Sequence, residues 1–304
     1  MPQKILVALD GSRPSESVLP YVASLMKVID ADLTLYRVVP PGSPAERQKA
    51  RAYLERVAGK LRRRGAFVDV AVAAGKPAEE ITEFAGHEGY DLVALASRRK
   101  KGLKRVVLGS VAEEILRRSP VPVLVTAARP AEAPSPAPPR SIVVPQDGSH
   151  RSAAVLVPVA ALAKAAGAKI SFVTVVSPTE REELPVETAA HTLFSRQKAL
   201  QEEGLDVEIG ILFGNPVDEI LRFAEARHAD LLAVATHGRT GLERWRYGSV
   251  TEALLRKSQV PLLVVRSLAQ ARTGALGPRA AAARRRALET AAAAANPGKS
   301  PYSG

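Results

Sequence analysis

Two short stretches of this 304-residue chain carry the residue types that hold phosphate and ribose. One reads Asp147-Gly148-Ser149. The other runs Ala235-Thr-His237-Gly238-Arg239, passes Arg244 and Arg246, and ends at Gly248-Ser249-Val250-Thr251. Glycines let a backbone come close to a ligand, and unpaired N–H groups at a helix start attract negative charge. A loop bracketed by Gly238 and Gly248, with Ser249 opening a helix, is therefore a candidate phosphate cradle. Arg239, Arg244 and Arg246 are cations suited to a polyanion. Asp147 can accept from a ribose hydroxyl, and Val175 offers an apolar edge to a base. Both stretches also have plain readings. Asp-Gly-Ser is a good turn by itself, and Ser249-Val-Thr-Glu252 reads as a capping box that satisfies helix-end donors without a ligand.

Other chemistries find little support. The chain has no cysteine, which excludes disulfides, thiolate catalysis and thiolate-held metals. Its histidines lack metal-ligand spacing, so no metal site is assigned, and His237 reads as a hydrogen-bonding loop residue. There is no Gly-x-Ser-x-Gly elbow and no Ser-Gly-Gly-x-Asp loop after either first strand. Gly298-Lys-Ser300 imitates the end of a phosphate loop, but Ala293 stands where the upstream glycine is required. No nucleophile is paired with a base. Catalysis is not indicated.

The elements that must position these loops repeat. Lys4-Ile-Leu-Val-Ala-Leu-Asp10-Gly11-Ser12 returns as Ser141-Ile-Val-Val-Pro145-Gln-Asp147-Gly148-Ser149. Gly75-Lys-Pro77 returns as Gly214-Asn-Pro216, and Leu108-Gly109-Ser110-Val111 as Tyr247-Gly248-Ser249-Val250. The chain thus reads as domain 1–127, a Pro-rich linker 128–140, domain 141–267 and a basic low-complexity tail 268–304.

Within each copy, short β-branched strands alternate with helices. Strands are expected near 4–9, 33–39, 66–73, 91–96 and 121–126, and again near 141–146, 169–176, 206–213, 230–235 and 260–265. Helices of the second copy fall near 151–166, 186–203, 217–228 and 249–257. This is an α/β pattern: two repeated open parallel sheets with helices on both faces. Pro20 and Pro158 should kink the first helix of each copy. In such sheets ligands bind beyond the carboxyl ends of the strands, where the winding reverses, which is where the Asp-Gly-Ser and Ala235–Thr251 loops fall.

On those residues the chain resembles the universal stress proteins, as a tandem two-domain member. Their nucleotide loop reads Gly-x-x-Gly, nine residues, then Gly-Ser or Gly-Thr; the second copy has Ala235-x-x-Gly238, nine residues, Gly248-Ser249. The resemblance implies five strands per copy in the order 3-2-1-4-5. It implies ATP, with Mg, held by Pro145, Asp147, Val175, Ala235, His237, Gly238, Arg239, Gly248, Ser249, Val250 and Thr251. Ala235 fills the first glycine position, which matters if that backbone needs a positive φ and is tolerable if only close approach is needed. In the first copy Arg99 stands where the second has Gly238, and Arg98 replaces His237. That domain is expected to lack ordinary ATP binding, although Asp10, Val38 and the Ser110-Val-Ala-Glu113 cap survive.

The expected role is a nucleotide-dependent regulatory or interaction module in a stress response. The alternatives are slow ATP hydrolysis, with Arg239 and His237 steadying phosphate charge, and a nucleotide-independent scaffold. The formal charge of +12 sits in the first domain (+7) and the tail (+5). The Arg98–Arg105 cluster reads first as a solvated loop, next as an anion or nucleic-acid patch and last as a partner contact, while Arg284-Arg-Arg286 reads as a basic tail able to touch RNA, DNA or membrane phosphate nonspecifically. The last strands, Val121–Val125 and Val260–Val264, are expected to pair within the chain, with a homodimer or an unknown protein as further partners. No apolar run approaches the ~20 residues that span a bilayer, and a cytoplasmic location is expected. Scarce Asn, with abundant Arg, Glu and Pro, leans towards heat tolerance.

Overall fold

A computed structural model describes residues 4–63, 65–99, 106–128, 136–149, 151–176, 186–236 and 248–266. The first repeat runs β1 (Lys4–Ala8), α1 (Arg13–Glu16), α2 (Leu19–Leu25), β2 (Asp32–Val39), α3 (Pro44–Arg62), β3 (Val68–Ala74), α4 (Pro77–His87), β4 (Leu92–Arg99), β5 (Val106–Val107), α5 (Ser110–Arg118) and β6 (Val123–Ala127). The second runs β7 (Ser141–Pro145), a 3-10 turn over Ser152–Val155, α6 (Leu156–Ala166), β8 (Lys169–Val176), α7 (Val186–Glu202), β9 (Val207–Phe213), α8 (Pro216–Ala226), β10 (Leu231–Ala235), α9 (Ser249–Lys257) and β11 (Leu262–Val265).

Each repeat forms a parallel sheet, ordered β3-β2-β1-β4-β6 in the first and β9-β8-β7-β10-β11 in the second. This is the 3-2-1-4-5 order in both. The two sheets are one: β6 pairs antiparallel with β11, with Leu124 opposite Leu263, Val125 opposite Leu262 and Val123 opposite Val264. The strands expected to pair do so within the chain.

Alternation along the strands feeds two cores, one on each face of the sheet. Ile5, Val7, Leu33 and Leu35, with Ile142, Val144, Ile170 and Phe172, pack on one face. Leu6, Val93, Val143, Val173 and Leu232 pack on the other, against residues of α4, α5, α8 and α9 such as Ile81, Ile115, Ile220 and Leu254.

Neither proline kinks a continuous helix. In the first repeat α1 ends at Glu16 and a new helix starts at Leu19, placing Pro20 in the first turn of α2. In the second, the 3-10 turn precedes α6, and Pro158 lies in the first turn of that helix. A first-turn residue has no intrahelical acceptor for its N–H, so proline loses nothing there. The chain solves the problem by restarting the helix.

Candidate functional site

The Asp-Gly-Ser loop leaves β7 at the edge where strand order reverses, since β7 lies between β8 and β10. Gly148 has φ +78°, a conformation that suits glycine, and the Ser149 amide donates to Asp147 Oδ1 at 2.9 Å. That Asx turn fixes the carboxylate at the carboxyl edge of the sheet. The first repeat builds the same turn, with Gly11 at φ +88° and the Ser12 amide 2.8 Å from Asp10 Oδ1. The plain turn reading is therefore realised in both repeats, and in the second it delivers Asp147 beside the end of β10.

Against the Asp147 loop of the second repeat lies a cation that local sequence did not reveal. Arg196 reaches from α7, donating through Nη2 to the Ser149 carbonyl at 2.7 Å. Its Nη1 donates to the Gln146 side-chain oxygen and, at 3.3 Å, to Ser152 Oγ. Burial pushes the guanidinium pKa down from its ordinary value, while the charge of Asp147 acts to raise it. In the first repeat a guanidinium also meets this loop, but from β2. A Cβ on Gly11 would fall 2.7 Å from Arg37 Nη1, and Arg37 lies 5.3 Å from the Tyr53 ring centroid.

The other half of the site is the start of α9. The Gly248 amide donates to the Thr236 carbonyl at 2.7 Å, and the Thr236 amide to the Val265 carbonyl at 2.9 Å. Thr251 Oγ1 donates to the Ala235 carbonyl at 3.0 Å. These bonds fasten the first turn of α9 to the end of β10, next to β7 and its loop. Thr251 is buried and braces the turn through its hydroxyl.

The capping-box expectation needs correction. Gly248 and Gly109 occupy the N-cap positions, no side chain caps either helix, and Ser249 and Ser110 are the first helical residues. The cause in α9 is the Gly248 amide, which is held by Thr236 and so seats the glycine where the capping serine was expected. The amides of Ser249, Val250 and Thr251 begin the helix ahead of the first intrahelical bond, from Glu252 N to Gly248 O at 3.0 Å. Such a turn can receive an anion. Ser249 is exposed and Val250 half-buried.

Ala235 ends β10 without strain. The one non-glycine residue with positive φ among the described residues is His228, so the methyl at the first glycine position meets no backbone penalty. Pro145 ends β7, and Val175 lies near the end of β8, half-buried against the α8 and α9 face. The structure thus brings Pro145, Asp147, Val175, Ala235 and Gly248–Thr251 to one edge of the second repeat. His237, Gly238 and Arg239 lie outside the described residues, as do Arg244, Arg246, the tail from 268, residues 129–135 and most of the Arg98–Arg105 cluster.

The first repeat differs at this edge in a way that its basic loop only hinted at. β4 runs on to Arg99 and pairs antiparallel with β5, Arg98 opposite Val107 and Arg99 opposite Val106. In the second repeat β10 stops at Ala235. Backbone therefore continues in the first repeat through the position equivalent to Gly238.

Among the described residues no group of His, Asp and Glu is arranged to hold a metal, and no helix is long and apolar enough to cross a membrane.

A model of the universal stress protein family matches residues 1–127 and 139–266. A universal stress protein of Methanocaldococcus jannaschii is 34% identical over 139 residues, covering 42% of this chain and 82% of that protein. A second from the same organism is 36% identical over 80 residues, covering 26% of this chain and 49% of that protein. Among solved structures, a universal stress protein from Archaeoglobus fulgidus superposes with a TM-score of 0.74 at 24% identity, over 88% of this chain and all of that one. The chain therefore spans most of the first relative's length and about half of the second's.

Proposed function

The chain belongs to the universal stress protein family, and from that premise we propose that its second repeat binds one adenine nucleotide, ATP with Mg, to regulate an interaction in a stress response. The observation that supports it is the bond from the Gly248 amide to the Thr236 carbonyl at 2.7 Å. It anchors an uncapped helix start at the carboxyl edge of the sheet, beside the Asp147 turn. Phosphate oxygens accept from the amides of Ser249, Val250 and Thr251 and gain from the helix dipole. Asp147 accepts from a ribose hydroxyl, and Val175 lies under the base. Gly238 gives the triphosphate room, while His237 and Arg239 supply donors to it.

Domain 1 does not bind ATP in this reading, because its fourth strand carries Arg98 and Arg99 through the equivalent position. Calorimetric titration of nucleotide-stripped protein with Mg-ATP tests the proposal. One site per chain is expected, lost in Gly238→Arg, which copies the first repeat's residue into the second. Absence of binding overturns the nucleotide reading. Two sites overturn the asymmetry between the repeats.

A further inference from the structure

The face of the sheet opposite α5 and α9 holds a cavity of about 500 Å³ at the junction of the two repeats, and its lining includes neither Asp147 nor the first turn of α9. Its floor includes Leu124 and Leu263, which lie directly opposite each other where β6 meets β11. Leu25 lines it from α2 and Leu162 from α6, and Pro136 and Pro139 line it from the segment joining the repeats. Close-packed interiors leave few voids larger than a water molecule, whereas small-molecule sites span roughly 300–1,000 Å³. This volume is of the second kind.

The lining selects a ligand. Its apolar part is aliphatic and proline, with Tyr21 the one ring among the described lining residues. Its formal charges, among the same residues, are the carboxylates of Asp91 and Asp230. Asp91 immediately precedes β4, which runs parallel to β6, and Asp230 immediately precedes β10, which runs parallel to β11. Because β6 and β11 are antiparallel, the two exposed carboxylates mark opposite ends of the junction. Each is held in place by strand-start amides: Asp91 Oδ2 accepts from Lys4 N at 3.1 Å, and Asp230 Oδ2 from Arg140 N at 2.8 Å and Ser141 N at 3.0 Å. An aliphatic floor between fixed negative charges is unsuited to a fatty acid anion and complementary to a cation.

We propose that this junction cavity binds a single aliphatic chain bearing a cationic head, with the chain over Leu124 and Leu263 and the head at Asp91 or Asp230. Occupancy lies on the two strands that join the repeats, so such a ligand stabilises their pairing directly. The site is independent of the nucleotide proposal.

Calorimetry of the full chain with dodecylamine, dodecanol and dodecanoate, each below its self-association concentration, tests it. Dodecylamine should saturate one site and bind about two- to fivefold more tightly than dodecanol, the scale of exposed ion pairing. Dodecanoate should bind least, although the net charge of +12 favours anions nonspecifically. Asp91→Asn with Asp230→Asn retains an acceptor for the strand amides and should remove the preference for the amine while leaving dodecanol binding. Leu124→Phe with Leu263→Phe, with folding checked by circular dichroism, should abolish binding of all three. Absence of saturable amine binding, equal affinity for dodecanoate, or an amine preference that survives both Asn substitutions overturns the proposal.

Discussion

Arg196 shows what a single residue adds and why the sequence did not reveal it. Asp147, Gly148 and Gly248 are legible because their chemistry is local: an Asx turn closes over two residues, and a glycine at a helix start marks itself. The partners of Arg196 lie 44 to 50 residues away in sequence, on the loop after β7. The first repeat brings its guanidinium to the same loop from β2, so no repeat comparison could have found Arg196. Ser249 opens the helix as expected, but the capping role fails for a related reason: the Gly248 amide donates to the Thr236 carbonyl across a loop, and the glycine takes the cap position. Removing Arg196 leaves the Gln146 oxygen and the Ser149 carbonyl without their donor. Arg196→Met is therefore expected to destabilise the fold by about 1–3 kcal/mol, measured by denaturant unfolding, and to weaken nucleotide binding through a loosened Asp147 turn. Unchanged stability would mean that water satisfies the loop equally well. Thr251→Val keeps the side-chain shape but loses the bond to Ala235. It should cost about 1 kcal/mol and weaken Mg-ATP more than adenosine, because the bond braces the phosphate end.

At the scale of elements, the strands and helices were legible because their apolar faces alternate with clear turn signals. What escaped the sequence were the joints. The helix restarts ahead of Pro20 and Pro158 rather than bending, and β4 extends to pair with the two-residue β5. The β-branched Val106-Val107 pair was the available sign of that arm, too short to stand out. The outer strands of the second repeat carry a polar joint with its own pH signature. Lys169 on β8 contacts Glu208 on β9 at 2.7 Å, Arg227 reaches the same carboxylate at 3.2 Å, and Ser171 Oγ donates to it at 2.7 Å. Burial pushes the Glu208 carboxyl up, but the hydrogen bonds from Lys169 and Ser171 and the charge of Arg227 outweigh it, leaving its pKa below the usual range. A carboxyl with a depressed folded pKa binds fewer protons folded than unfolded. Its stabilisation is thus full above the unfolded value, near about 4.3, and is lost as pH falls through the folded value. Glu208→Gln should lower the melting temperature slightly at neutral pH and flatten the acid limb of a stability–pH profile. An unchanged acid limb would assign that limb to other carboxylates.

At the scale of the whole chain, duplication yields two unlike halves of one sheet. The antiparallel junction turns the second repeat end for end, so the carboxyl edge of the first sheet faces opposite to that of the second. The two Asp-Gly-Ser turns therefore lie at opposite edges, so that a change at one edge need not reach the other. Nothing in that divergence disturbs the junction, where the paired residues Val123–Val125 and Leu262–Val264 are buried and apolar. Beyond the strands, Arg256 of α9 lies 3.8 Å from Glu113 of α5, and Arg266 donates to the Arg118 carbonyl at 2.9 Å. Both polar contacts are exposed and contribute little beside the strand pairing. The strength of coupling between the repeats should therefore reside in the facing pair Leu124 and Leu263. A double-mutant cycle with Leu124→Ala and Leu263→Ala isolates it: each single change is expected to cost about 2–5 kcal/mol by opening a cavity, and the pair to deviate from additivity by about 0.5–1 kcal/mol. Small-angle scattering on the double variant should show a looser particle. If the two changes add within about 0.3 kcal/mol and the scattering is unchanged, the leucines pack into their own repeats and the backbone ladder alone holds the halves together.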